Sequence, residues 1–229
     1  RCQASASGNG CGPATSTSAA LTVSSDPSFT TQTITPASIC PGGASTATVA
    51  VSGGSGTTYQ WQYSPNNSTW SNVAAGTPAG STYGTPTAAS TTINAISAAG
   101  TYYYRCVIGG NNGCDAGVSS SLILTVTPEP SSTVPTYTVN PVCTGGSSVV
   151  SVTASNGTGT YTYQWQYSTS LAGTYANVAA GTPAGSTYTN ATSPAMTIAG
   201  ITAAGSAYYY RCIVGATGSG CDAANSTGA

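Results

Sequence analysis

The sequence predicts an all-β chain of tandem β-sandwich domains. Three observations lead there: long stretches recur along the chain, apolar and polar residues alternate in short runs, and Gly, Pro and Asn clusters separate those runs. The recurrence comes first because it sets the unit. "CPGG" at Cys40 returns as "CTGG" at Cys143, "YQWQYS" at 59–64 returns at 163–168, and "NVAAGTPAGSTY" at 72–83 returns at 177–188. A period of roughly one hundred residues is a whole domain rather than a solenoid unit.

Three segments follow. Residues 1–27 are the last part of a repeat, a hairpin and final strand, since "STSAALTVSSDP" at 16–27 aligns with "SSSLILTVTPEP" at 119–130. Residues 28–128 form a complete repeat. Residues 129–229 form a repeat that stops short of its final strand. The linkers "SSDP" and "TPEP" are short and carry Pro, which makes stiff junctions.

Within the complete repeat the alternation assigns faces. Ala47, Val49 and Val51 share one side of their strand; Tyr59, Trp61 and Tyr63 face opposite to Gln60 and Gln62; Tyr102, Tyr104, Cys106 and Ile108 fall together, as do Leu122, Leu124 and Val126. Trp61 and Trp165 read as core residues. Trp70, with Tyr175 in its place in the next copy, reads as a surface aromatic that could stack on a sugar.

Composition excludes several function classes. Only 3% of the residues are charged, against about 25% in an ordinary domain. There is no His and no Lys, and the four carboxylates are dispersed, so general acid–base catalysis and calcium binding lack their groups. We expect no enzyme and no cofactor. A net charge of −1 gives no field for nucleic acid, and no apolar run reaches the length of a membrane span. Eight cysteines without zinc-type pairs point to an oxidising, extracellular or cell-surface location.

The hairpin "YRCVIGGNNGCDA" carries most of the charge. In a regular hairpin with Cys106 facing Cys114, Arg105 faces Asp115; the same register in the next copy sets Cys212 against Cys221 and Arg211 against Asp222. This predicts disulfides Cys2–Cys11, Cys106–Cys114 and Cys212–Cys221, each closing a short loop that contributes roughly 2.5 kcal/mol, and ion pairs Arg105–Asp115 and Arg211–Asp222. Cys40 and Cys143 are then left over, at the pole that faces the next domain, as thiols for an inter-domain or inter-chain link. The alternative is a Cys40–Cys106 bond with the "GC" cysteine left over.

The order "C-x-G-G…YQWQ-S…YYYRC…GC", with a Trp in the third strand and Tyr104 two residues before Cys106, resembles the immunoglobulin-like repeats of very large secreted and surface proteins of Bacteroidota. The resemblance covers essentially the whole chain. It implies immunoglobulin-like sandwiches, export, tandem arrays, and structural or adhesive work. The chain departs from the antibody pattern in lacking a second-strand cysteine to face Cys106.

The expected function is a structural segment or subunit of an extracellular filament, completed end to end by neighbouring domains or by strand exchange. In the exchange reading Ser16, Ala19, Leu21 and Val23 are a donor strand for the last domain of another copy, and the partner is the chain itself. The alternative is an adhesin or glycan-binding module using Trp70 and Tyr175 on cell-surface glycans.

Overall fold

Alternating apolar residues fold this chain into two β-sandwiches in series, preceded by a small hairpin. The computed structural model describes residues 1–111 and 113–229. The hairpin pairs β1 (Gln3–Ala4) with β2 (Ala14–Thr15).

In the first sandwich one sheet runs β3 (Ser28–Thr35), β5 (Ala44–Ser52), β9 (Ser90–Asn94), β8 (Thr82–Tyr83). The facing sheet runs β4 (Ser38–Ile39), β12 (Leu122–Val126), β10 (Gly100–Gly109), β6 (Thr58–Ser64), β7 (Ser71–Asn72), with β11 (Gly117–Val118) also on β10. This is the strand order of an immunoglobulin-like fold. The alternation places the expected residues inside: Ala47, Val49, Trp61, Tyr104, Cys106, Ile108, Leu124 and Val126 are all buried. The Trp61 indole donates to the Ala88 carbonyl at 2.9 Å, so its one polar atom is satisfied inside the core.

The second sandwich repeats the plan with shorter pieces. β13 (Ser131–Ser132) pairs with β16 (Ala154–Ser155); β14 (Thr136–Tyr137) pairs with β15 (Ser147–Ser151), followed by β20 (Ala195–Ala199) and β19 (Thr187–Thr189). The other sheet runs β18 (Ala176–Asn177), β17 (Tyr161–Ser168), β21 (Tyr209–Ala216), β22 (Ala224–Asn225). The first strand is continuous as β3 but broken between β13 and β14, where Pro135 stands in place of a residue able to donate to the ladder. Trp165 repeats the role of Trp61, donating to the Ser193 carbonyl at 2.9 Å.

The two sandwiches differ most at their last strand. In the first, β12 pairs with β10 from Gly100↔Val126 to Tyr104↔Leu122, and β4 lies parallel to it. In the second, Ala229 exchanges two backbone hydrogen bonds with Tyr210, at 2.9 and 3.0 Å, as the counterpart of Leu122. Beside it lies a groove of about 280 Å³ whose lining includes Val142, Ile198, Ile201, Tyr208 and Tyr210.

The junction between domains as candidate functional site

The site is built from two small loops. The first is Cys40-Pro41-Gly42-Gly43, between β4 and β5. Gly42 has a φ of +80°, a conformation that favours glycine, and its N–H donates to the Ile96 carbonyl at 2.9 Å. The Gly43 N–H donates to the Cys40 carbonyl at 3.0 Å and closes the loop into a socket. The second is the tip Ser219-Gly220-Cys221 between β21 and β22. Gly220 has a φ of +79°, and the Cys221 N–H donates to Gly218 at 3.3 Å.

The tip of the second domain enters the socket of the first. Cys40 and Cys221 form a disulfide spanning 181 residues of sequence. The Cys40 N–H donates to the Ser219 carbonyl at 2.8 Å, and the Ala44 N–H donates to Ser219 Oγ at 2.8 Å. Both glycines are needed for the approach: a Cβ on Gly43 would strike the Ser219 carbonyl oxygen, and one on Gly220 would strike the Gly43 nitrogen. Cys40 is fully buried by this contact.

The linker is tied into the same pole. The Asp222 N–H donates to Glu129 Oε2 at 2.8 Å, and Pro130 is buried. The preceding linker does the same: the Asp115 N–H donates to Asp26 Oδ1 at 2.9 Å, and Pro27 is buried. Each linker carboxylate therefore fixes the tip of the domain that follows it.

The structure corrects the expected hairpin pairings. Cys221 bonds Cys40, not Cys212, and Cys2, Cys11, Cys106, Cys114 and Cys212 are free, as is Cys143. The alternative Cys40–Cys106 bond is likewise replaced. The physical reason is register. The strands pair as Val107↔Val118 and Ile213↔Asn225, which places Cys106 opposite Ser119 and Cys212 opposite Ser226. The Cys106 N–H donates to Ser119 Oγ at 2.8 Å, Cys212 to Ser226 Oγ at 2.9 Å, and Cys2 to Ser16 Oγ at 2.8 Å. The second cysteine of each pair sits in a turn at the tip, where the Cys114 N–H donates to Asn111 and that of Cys11 to Gly8. It therefore leaves the ladder. Burial pushes the Cys106 and Cys212 thiols up to about 11, which keeps these core thiols protonated and unreactive.

The same shift of register separates Arg105 from Asp115 and Arg211 from Asp222. Arg105 instead donates from Nε to Gln62 Oε1 at 2.9 Å and lies over the Trp70 ring at 4.4 Å. Arg211 does likewise with Gln166, at 2.9 Å, and the Tyr175 ring, at 4.3 Å. Both expected sugar-stacking aromatics thus have one face covered by a guanidinium, a cation–π arrangement. Of the expected donor strand, Ser16 belongs to the hairpin with Cys2, while Ala19, Leu21 and Val23 are exposed, Leu21 at 90% and Val23 at 86%.

Sequence reasoning missed Ser219, Ser119, Ser226 and Ser16, and the capping role of Asp26 and Glu129. A signal for the serines was present: each strand cysteine is followed 13 or 14 residues later by Ser. Nothing local could have coupled Cys40 to a residue in the other domain.

Fold and junction together define a tandem immunoglobulin-like β-sandwich module. A sequence-family profile described as Domain of unknown function (DUF8696) matches residues 30–128. No curated protein matches the chain. Among solved structures, the chain is similar to a marsupial T cell receptor, at 15% identity and a TM-score of 0.42 over 89% of this chain and 70% of that one. It is similar to three N-terminal domains of the bacteriophage RB49 Highly Immunogenic Outer Capsid protein, at 11% identity and a TM-score of 0.41, covering 89% of this chain and 67% of that one. It is also similar to the N-terminal eight Ig domains of Down Syndrome Cell Adhesion Molecule, at 16% identity and a TM-score of 0.38, covering 89% of this chain and 24% of that one. The immunoglobulin-like assignment itself rests on the strand order and on the buried Trp and Tyr residues.

Proposed function

We propose that this chain is a structural segment of an extracellular fibre, a series of immunoglobulin-like domains held as a stiff rod by covalent junctions. The observation that carries this reading is the Cys40–Cys221 disulfide between successive domains. A bond of this kind persists in an oxidising compartment outside the cytosol. It converts a linker, ordinarily a hinge, into a second fixed connection at the same pole, alongside the Glu129 cap. Low charge lets such rods lie side by side without repulsion.

End-to-end completion fits the same reading. Leu21 and Val23 repeat the pattern of Leu124 and Val126, the residues of β12 that are buried in the first domain. The partner is then another domain of this kind, with no role for nucleic acid or a membrane. The adhesin or glycan-binding alternative loses support because Arg105 and Arg211 cover faces of Trp70 and Tyr175.

Small-angle X-ray scattering with and without reductant tests the reading. The oxidised chain should scatter as a rod of one fixed length, and reduction or Cys40→Ser should broaden its distribution of lengths. Equal flexibility in both states, or retention on a polysaccharide column that depends on Trp70, would overturn it.

A further inference from the structure

The junction has one engaged pair of loops and further copies of each loop that are folded alike yet unengaged. The socket recurs at Cys143-Thr144-Gly145-Gly146. Gly145 has a φ of +77° and donates to the Ile201 carbonyl at 2.9 Å, as Gly42 does to Ile96. The Gly146 N–H donates to the Cys143 carbonyl at 2.8 Å, as Gly43 does to Cys40. Yet Cys143 is exposed, and beside it lies a hollow of about 380 Å³ lined by Val142, Thr144, Ile201 and Tyr208. A Cβ on Gly43 would meet the backbone of Ser219 in the other domain, whereas the nearest atoms to one on Gly146 are those of Cys143 and Val142 in its own loop.

The tip recurs twice. Gly113 has a φ of +88° and Gly10 of +86°, against +79° for Gly220; a Cβ on either would meet nothing within 4 Å. The two tips differ in their support. Cys114 is carried by a complete sandwich, and its neighbour Asp115 is capped by Asp26 as Asp222 is by Glu129. Cys11 is carried by a two-stranded hairpin, and Gly12 stands where the capped acid would be. The Cys114 tip is the one that reproduces the engaged arrangement.

We propose that the Cys143 socket of one chain takes the Gly113–Cys114 tip of a second copy, and that Cys143 and Cys114 close a disulfide equivalent to Cys40–Cys221. Each junction along the fibre is then covalent. This rests on the fibre reading given above and supplies its partner contact. The polarity is consistent, because Cys143 occupies the loop equivalent to that of Cys40, at the pole where the first domain meets the second, and Cys114 occupies the tip equivalent to that of Cys221, at the pole where the second meets the first. In the second copy Leu21 and Val23 precede the linker to the Cys114 domain, as Leu124 and Val126 precede the linker to the Cys221 domain. The bond forms by thiol–disulfide exchange with a disulfide oxidant. The two thiols lose two protons and two electrons, one S–S bond forms, and the oxidant's S–S bond is cleaved to two thiols.

The experiment uses the full chain carrying Cys2→Ser and Cys11→Ser, concentrated with oxidised glutathione and separated on a non-reducing gel. A ladder of oligomers should appear, and chymotryptic mapping should recover Cys143 joined to Cys114. Cys143→Ser and Cys114→Ser should each abolish the ladder. Gly113→Asn should lower it at least tenfold, since Asn tolerates positive φ but its side chain would strike the socket as a Cβ on Gly220 would strike Gly43. A chain that stays monomeric, or that joins Cys143 to Cys143, overturns the proposal. Scattering from the Cys143→Ser chain separates the two ideas: a rigid rod there with no ladder in the parent leaves the fibre reading standing and removes this one.

Discussion

Cys40 and Cys143 occupy the same loop in successive domains and meet opposite fates. Cys40 is fully buried and bonded; Cys143 is exposed and free. Their neighbours follow suit. Ile39 is wholly buried on β4, paired beside Val126 of β12, while its counterpart Val142 is 42% exposed beside the groove. The loops are folded alike, with equivalent glycine conformations and hydrogen bonds. The difference teaches that the socket is a local structure formed by its own sequence, whereas its burial and its bond come from the domain that docks on it.

Substitutions at matched positions break or sharpen this comparison. The largest effect is expected from the staple: Cys40→Ser should cost roughly 5 kcal/mol in the chain-entropy view of so long a loop, while Cys143→Ser in the monomeric chain should change stability by less than about 0.5 kcal/mol. Differential scanning calorimetry under oxidising conditions reads both. Next, Ile39→Ala should destabilise the first domain by about 3 kcal/mol through a core cavity, and Val142→Ala should cost under about 0.5 kcal/mol because the position is open. Equal losses at the two positions would mean that the groove is closed in solution.

Alkaline titration should affect both domains alike. Tyr104 and Tyr210 are buried, at 0% and 2% exposure, and burial raises their phenols well above the ordinary value of 10.0. Below pH 10 both folded and unfolded chains keep the proton, so stability is intact. Above it the unfolded chain releases a proton that the folded chain must retain, and stability falls by up to about 1.4 kcal/mol per tyrosine per pH unit. Tyr104→Phe should reduce that slope in the first domain alone, measured by urea unfolding across pH 9 to 12. The smallest effect is expected at the surface: Arg105→Ala should cost about 0.5–1 kcal/mol by removing the contact with Trp70, with a shift in tryptophan fluorescence.

Much of the fold was legible before any coordinates. Period-two alternation placed Trp61, Tyr104, Cys106, Ile108, Leu124 and Val126 inside because a strand sends successive side chains to opposite faces whatever the partner strand. The turn glycines were equally legible as loop signals. The hairpin register was misread because the tip folds into a turn of its own, so counting outward from Cys114 started from a residue that is not on the strand. The expected ion pairs failed for that same reason. The tip as a docking element was illegible, since its partner Cys40 lies in a different domain.

The sequence by itself determined two things here: which residues face each core, through alternation, and the shapes of the CxGG socket and Gly–Cys tip, through glycines that adopt positive φ at no steric cost. Only the tertiary structure decided which cysteines meet. A disulfide requires two Cβ atoms within about 4.5 Å of each other, and that proximity is created by how one domain stands on the next, which no local pattern encodes.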